Sequence, residues 1–140
     1  MTEDNRLSKV KILIQQKKFV EAEKILINLL AEDSNNFHFH LFLAEVFLQQ
    51  EKLDNANDII ENAIGRHPEE SHLFYIKSRI AIRQHNLIEA ENNIKQAITI
   101  DPYDADYFAL LANIKLVRKQ FNESLETANK ALEIDSENLL

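Results

Sequence analysis

Cysteine and tryptophan are absent from the 140 residues, glycine occurs once and proline twice. The lack of cysteine excludes a disulfide framework, a thiolate zinc site and a cysteine nucleophile. Leu, Ile, Ala, Glu, Lys, Asn and Gln dominate instead, and most of these residues favour helix. Apolar residues make up 45% of the chain and charged residues 28%, as in folded proteins. We therefore predict a folded, all-α chain.

Positive charge is also scarce. Lys and Arg number 16 against 23 Asp and Glu, which gives a net charge of −7. This charge repels phosphate backbones, so we predict no nucleic-acid partner. The N-terminus is polar, and no stretch approaches the roughly 18 consecutive apolar residues of a membrane-spanning helix. We expect no direct membrane contact from this segment and, by default, a cytoplasmic location.

The rest of the chain is organised around residues 86–104. Ala90, Ile94 and Ala97 share one helix face because they lie three and four residues apart, and Pro102 ends that helix. The same pattern recurs at intervals of 34 residues, at Phe121, Ser124, Ala128 and Ala131, at Leu53, Ala56, Ile60 and Ala63, and at Phe19, Ala22, Leu26 and Leu29. A fixed period of this length indicates a repeat array.

Four repeats follow from this period, at residues 3–36, 37–70, 71–104 and 105–138, and each is predicted to contain a helix A, a short polar turn and a helix B. Because the turns are short, paired helices should be antiparallel. Asp54 and Asn122 follow two of the turns, and we predict that they are the N-caps of their B helices.

The 34-residue period, the small residues near repeat positions 8, 20 and 27 and the proline at position 32 resemble the tetratricopeptide repeat over essentially the whole chain. The small residues let two helix backbones approach closely. The resemblance implies a right-handed α-α superhelix, or solenoid, formed by a single array over residues 1–140. Lys9, Lys77 and Lys115 replace the Leu or Tyr of the family, and we expect them to lie along the surface with buried stems.

The resemblance also implies a binding surface, since helix A residues at six repeat positions line the concave face of the family's superhelix and bind peptides. Transferring these positions predicts a largely apolar groove for an amphipathic helix or an extended peptide. It is formed by Leu41, Phe42, Glu45, Leu48, Tyr75, Ile76, Arg79, Ile82, Arg83, Leu110, Asn113 and Val117.

The groove lacks one arrangement found in some members of the family, a clamp of Lys and Asn side chains for a C-terminal carboxylate. Leu7, Lys11 and Phe42 stand in its place here. Arg79 and Arg83, one helical turn apart, concentrate positive charge and can grip an acidic peptide residue. The alternative is that both arginines meet neighbouring acidic side chains such as Glu45.

No pattern in the sequence predicts an enzyme, a cofactor or a bound metal. The single glycine, Gly65, provides no phosphate-binding loop, and no Ser, His and Asp set shares a cleft. His38 and His72 are 34 residues apart and should lie side by side on adjacent helices, but no third metal ligand is near them. His38 and His40 are two residues apart and point to different sides of a helix, so they do not form a chelate.

The last repeat differs from the others because arrays of this type usually end in a further helix with a polar outer face, and none is predicted here. Leu125, Ala128 and Leu132 should then be uncovered. Either the sequence is a fragment or this edge pairs with another molecule, by self-association for example.

The function predicted from the sequence is a protein-protein interaction module that binds a protein or peptide. The alternatives are a structural spacer or self-association unit, and a regulatory domain of a longer protein that is membrane-anchored or enzymatic.

Overall fold

A computed structural model describes residues 3–138, with the side chains of residues 5–137. This part of the chain contains no strand and consists of the helices α1 (Glu3–Gln15), α2 (Phe19–Glu32), α3 (Phe37–Gln49), α4 (Leu53–Arg66), α5 (Ser71–Arg83), α6 (Leu87–Ile100), α7 (Ala105–Val117) and α8 (Phe121–Asn138). The all-α prediction is confirmed. Eight helices are consistent with four two-helix repeats.

The helices form two compact units, Met1–Pro68 and Glu69–Leu140. In the first unit α1 packs on α2, α2 on α3 and α3 on α4. In the second unit α5 packs on α6, α6 on α7 and α7 on α8. Each unit therefore contains two helix pairs and one junction between pairs, α2 with α3 in the first unit and α6 with α7 in the second.

Small residues bring the paired helices together, as predicted. Ala90 and Ala97 of α6 are 0% exposed, and Ser78 of α5 is equally buried. The Ser78 hydroxyl donates to the Ala90 carbonyl at 2.7 Å, and the Ser124 hydroxyl donates to the Ala112 carbonyl at 2.8 Å. The serine lies on helix A in the first pair and on helix B in the second. Both buried hydroxyls are thus satisfied by the backbone of the partner helix.

Every helix A ends in the same turn, built on a left-handed residue that is not glycine. At the end of α3 the Glu51 amide donates to the Leu48 carbonyl at 3.1 Å and the Lys52 amide to the Phe47 carbonyl at 2.9 Å, the bond pattern of a Schellman motif. The left-handed residues have φ between 58° and 62° and are Lys17, Glu51, His85 and Lys119. A β-carbon is unfavourable in this conformation, so each turn carries local strain.

The N-cap predictions for Asp54 and Asn122 are wrong. The Schellman turn leads directly into helix B, so α4 begins at Leu53 and α8 at Phe121, which leaves both residues inside the first helical turn. Side-chain caps occur instead at three other helices. Their acceptors are Asn36, which binds the His38 amide at 3.0 Å, Asn86, which binds the Glu89 amide at 3.2 Å, and Asp104, which binds the Asp106 amide at 2.9 Å.

Candidate functional site

In the first unit, α3 carries four of the predicted groove residues. Leu41, Phe42 and Glu45 are half-buried, and the Lys11 ammonium lies 5.8 Å from the centre of the Phe42 ring. Glu45 accepts a hydrogen bond from the Gln49 amide group at 3.0 Å. Leu48 is only 1% exposed. It therefore belongs to the core and offers no surface to a ligand.

In the second unit, α5 and α7 carry the other eight residues. Arg83, Asn113 and Val117 are exposed, and Ile76 is 3% exposed. Ile76, like Leu48, is a core residue rather than a groove residue. The remaining four side chains are half-buried, and they are Tyr75, Arg79, Ile82 and Leu110.

The burial of Leu48 and Ile76 has a common cause. Helix A is buried around much of its circumference, and in α3 seven of the thirteen residues are buried. Repeat position alone does not separate core from surface on such a helix: Leu116, at the position of Leu48, is 52% exposed, and Phe42, at the position of Ile76, is half-buried. The exposure of each of these positions depends on the neighbours of its own helix.

An aromatic cluster positions the polar end of the predicted surface in the second unit. The ring centres of Tyr75 and Tyr107 lie 5.3 Å apart, and that of His72 lies 5.0 Å from Tyr75. The hydroxyls of Ser71 and Tyr107 are 2.9 Å apart, and the Tyr107 hydroxyl is 3.4 Å from His72 Nδ1. Because α5 and α7 contact each other here, Tyr75 is held at a fixed orientation.

The electrostatics of this cluster are set by burial and by Arg79. Burial raises the pKa of the Tyr107 phenol, and the nearby Asp104 and Asp101 raise it further, although the Ser71 hydrogen bond acts in the opposite direction. Tyr107 is therefore neutral at physiological pH. The Arg79 guanidinium lies 5.7 Å from the centre of the Tyr75 ring, within cation-π range. An aromatic face and a cation thus lie side by side on α5.

Apolar side chains continue this surface along α5 and α7. Ile82 and Leu110 are partly buried and pack against the core cluster that contains Ala81 and Leu111. Val117, at the end of α7, is 64% exposed. The second unit therefore presents Tyr75, Arg79, Ile82, Arg83, Leu110, Asn113 and Val117 as a mixed apolar and basic set, which we call the A-helix face.

A second feature, an ionic network between α6, α7 and α8, was not predicted. Lys115 Nζ lies 3.0 Å from Glu91 Oε1 and 2.7 Å from Glu123 Oε2. Arg118 lies 2.9 Å from Glu91 and Lys95 3.5 Å from it. Glu91 and Lys115 are only 8% and 9% exposed. The prediction that Lys115 lies along the surface is therefore wrong, since its ammonium group ends inside this network.

The network shifts the pKa values of both buried members. Burial opposes ionisation of Glu91, but the hydrogen bond from Lys115 and the charges of Lys115, Lys95 and Arg118 outweigh it and hold the pKa below its usual value. The hydrogen bond to Glu123, followed by the contribution of Glu91, raises the pKa of Lys115 against the effect of burial. Glu91 and Lys115 are both charged at neutral pH, and the network ties α6, α7 and α8 together.

A third feature is the outer face of α8, which is apolar and open. Phe121, Leu125 and Leu132 are 62%, 64% and 64% exposed. They are four and seven residues apart and so lie on one side of the helix. With Ala128, which is half-buried, they form what we call the α8 stripe.

Two further properties of the described residues are the arrangement of possible metal ligands and the length and apolar character of the helices. No group of three or more His, Cys, Asp or Glu side chains among them is arranged to hold a metal ion. His40 is buried, with Nδ1 2.9 Å from the Asn36 carbonyl oxygen, whereas His38 is exposed and stacks on Phe37. None of the described helices has the length and apolar character needed to cross a membrane.

Residues 13–80 match the sequence model of the family described as tetratricopeptide repeat. This stretch of the chain is tetratricopeptide repeat. This family generally provides protein-interaction folds rather than enzymes. No curated protein matches the chain.

Solved structures agree on the fold at low sequence identity. A thermophilic tetratricopeptide repeat protein from Thermus thermophilus is 18% identical, with a TM-score of 0.86 over 93% of this chain and 72% of that one. MamA from Desulfovibrio magneticus RS-1 is 15% identical, with a TM-score of 0.80 over 96% and 76%. YrrB, described as having an unusual peptide-binding site, is 16% identical, with a TM-score of 0.75 over 96% and 69%.

Proposed function

We propose that this tetratricopeptide repeat protein is an interaction module that binds an amphipathic helix or an extended peptide through its A helices. The observation that carries the proposal is the A-helix face of the second unit, where apolar and aromatic side chains lie beside two arginines on α5. Such a surface offers both apolar contact and a charged anchor. No catalytic role is part of the proposal.

The chemistry of the A-helix face favours a ligand with an apolar residue and an acidic residue close together. Tyr75, Leu110 and Val117 provide apolar area, and Arg79 and Arg83 provide guanidinium groups for a carboxylate. Tyr75 is held by stacking with Tyr107, so little side-chain entropy is lost when a ligand binds. In the first unit, Leu41, Phe42 and Glu45 are the residues that remain for ligand contact. The peptide-binding site named for YrrB supports peptide binding as a use of this fold.

The test is selection from a random peptide library displayed on phage, followed by binding measurements on two variants. Val117→Glu places a charge on the A-helix face, and Ile88→Glu is the matched control, because Ile88 is 65% exposed against 64% for Val117 and lies on α6. We expect selected peptides to lose at least about tenfold in affinity for Val117→Glu, or about 1.4 kcal/mol, and to bind Ile88→Glu normally. Peptides that bind both variants equally would reject the A-helix face as the site.

Self-association through the edge formed by α8 is a second candidate function. The observation that favours it is the exposure of Phe121, Leu125 and Leu132 on one side of that helix.

A cytoplasmic location stays a prediction, to be checked by imaging the tagged protein in its own cells.

A further inference from the structure

We propose that the α8 stripe is covered by a second copy of this chain, through the outer face of that copy's α1, so that copies join head to tail. The proposal deepens the self-association candidate and rests on it. It names the surface on the second copy, and because the two contacting surfaces differ, a pair joined by one such contact keeps one open α1 and one open α8.

The junction between helix pairs in the second unit shows what covers such a stripe. On α6, Leu87 and Ile98 occupy the positions of Phe121 and Leu132, and both are only half-buried rather than exposed. Ile114 of α7 is 1% exposed and belongs to the same core cluster as Ile94 of α6. Ile98 packs against that cluster. The repeat positions that form the α8 stripe are therefore those that receive the next helix A elsewhere in the same unit.

The outer face of α1 is the matching half of this junction, and it too is open. Ile12 occupies the repeat position of Val46, Ile80 and Ile114, which are 0%, 0% and 1% exposed, yet Ile12 is 52% exposed. Lys9 lies on the same side of α1, one turn earlier, and is also exposed. α1 and α8 thus each expose an outer face at repeat positions where the equivalent residues of other helices are buried or half-buried.

Charge selects α1 rather than a second α8 as the occupant. α1 contains three basic and two acidic residues, a net charge of +1, and the turn after it adds Lys17 and Lys18, whereas α8 contains one basic and five acidic residues, a net charge of −4. Pairing α8 with α8 would bring two acidic helices together. Pairing α8 with α1 brings opposite charges together, which favours both encounter and binding.

The two observed junctions have the same charge order. Glu23 on α2 pairs with Lys52, which follows α3, at 3.3 Å. Glu91 on α6 pairs with Lys115 on α7 at 3.0 Å. In both, helix B supplies the acid and the following A helix, or the turn after it, supplies the base. The acidic α8 and the basic residues 3–18 have the same overall signs, although Leu125 stands at the repeat position of Glu23 and Glu91.

The first measurement is sedimentation velocity of the wild-type chain over a range of concentrations at two salt concentrations. We expect species larger than a dimer to appear as concentration rises. Raising the salt should weaken the association, since it screens the attraction between opposite charges. Salt that strengthened the association would contradict the pairing of a basic with an acidic end.

Two variants each close one end. Leu132→Glu places a charge in the α8 stripe at a site that is 64% exposed, so the fold should tolerate it, and Ile12→Glu alters the α1 face at a site that is 52% exposed. Each variant alone should stay monomeric where the wild type associates. An equimolar mixture should form a dimer and nothing larger, because one open α1 then meets one open α8. Ile88→Glu, 65% exposed on α6, is the control and should associate like the wild type.

The outcomes separate the proposals. A wild-type chain that is monomeric at every concentration overturns self-association and the head-to-tail arrangement together. Dimers formed by Ile12→Glu alone keep self-association but replace the partner surface with a second α8. A mixture that yields no dimer, while the wild type associates, also overturns the head-to-tail arrangement. Circular dichroism melting curves confirm that each variant is folded before it is compared.

Discussion

The two units share one repeat pattern but have different kinds of side chain at equivalent packing positions. Phe47 in the first unit and Lys115 in the second occupy the same repeat position, and so do Glu23 and Glu91. The first junction has an apolar Phe47, 6% exposed, and an ion pair between Glu23 and Lys52 at 3.3 Å. In the second, Glu91 is surrounded by three cations. Equivalent repeat positions at the two junctions therefore hold side chains of different chemistry.

Exposure differs as well as chemistry. Leu48 is 1% exposed at the end of α3, whereas Leu116, at the same position of α7, is 52% exposed. Phe42 in the first unit is half-buried, but Ile76 at its position in the second unit is 3% exposed. The surface available to a ligand is therefore not the same on the two units, even though the helices that form it are equivalent in sequence.

The largest expected effect tests the difference between Leu48 and Leu116. Truncation of a buried leucine leaves a cavity, so Leu48→Ala should lower the free energy of unfolding by about 3 kcal/mol. Leu116→Ala removes the same atoms from an exposed site and should change it by less than about 0.5 kcal/mol. Urea unfolding followed by circular dichroism gives both values. Equal losses for the two variants would mean that their burial does not differ as described.

The next effect concerns the two glutamates. Glu91→Gln leaves the ammonium of Lys115 with one partner fewer at a nearly buried site, and we expect a loss of about 2 kcal/mol, below the roughly 3–5 kcal/mol found for fully buried pairs. Glu23→Gln removes a single pair to a lysine whose side chain is 44% exposed, and should cost about 0 to 1 kcal/mol. A loss for Glu23→Gln as large as that for Glu91→Gln would remove the distinction between the junctions.

The same network predicts how stability depends on pH. Because the pKa of Glu91 is lower in the folded chain, its contribution is fully present above the unfolded value near 4.5 and is lost as pH falls through the folded value. The pKa of Lys115 is raised, so its contribution is present below the unfolded value near 10.5 and is lost as pH rises through the folded value. Glu91→Gln should flatten the acid side of the melting-temperature profile, and an unchanged profile would contradict this assignment.

The smallest expected effect tests the left-handed turn after helix A, which has the same conformation in both units. Glu51 and His85 have φ of 58° and 60° in equivalent turns. Glycine adopts this conformation without steric cost, so Glu51→Gly and His85→Gly should each raise stability by about 0.5 kcal/mol after the added flexibility of the unfolded chain is allowed for. Thermal melting of both variants should show similar gains. A gain in one unit and a loss in the other would show that the turns are not equivalent.

Much of the fold was predictable because it is encoded locally and repeated. The spacing of Ala90, Ile94 and Ala97 marks a buried helix face, and the 34-residue period carries that interpretation to the other helices. The left-handed turns were missed because Lys, Glu and His give no local sign of positive φ. The recurrence of a short polar segment at the same repeat position was the available signal.

The candidate site was less predictable because it depends on contacts between segments far apart in sequence. Glu91 and Lys115 are separated by 24 residues, and no local pattern joins them. Leu48 and Ile76 were placed in the groove by repeat position, yet each is buried by the packing around its own helix. Repeat position predicted which helices provide the A-helix face but not which side chains on them are exposed.

The hydrogen bond from Ser78 to Ala90 makes one backbone carbonyl spectroscopically distinct. As a residue inside α6, Ala90 already has a carbonyl that accepts the amide four residues later, and the Ser78 hydroxyl at 2.7 Å adds a second donor. A carbonyl with two donors absorbs at lower infrared frequency than its neighbours in the helix. Isotopic labelling of Ala90 would therefore yield a vibrational band that reports directly on the separation of α5 and α6, and on its loss when the pair opens.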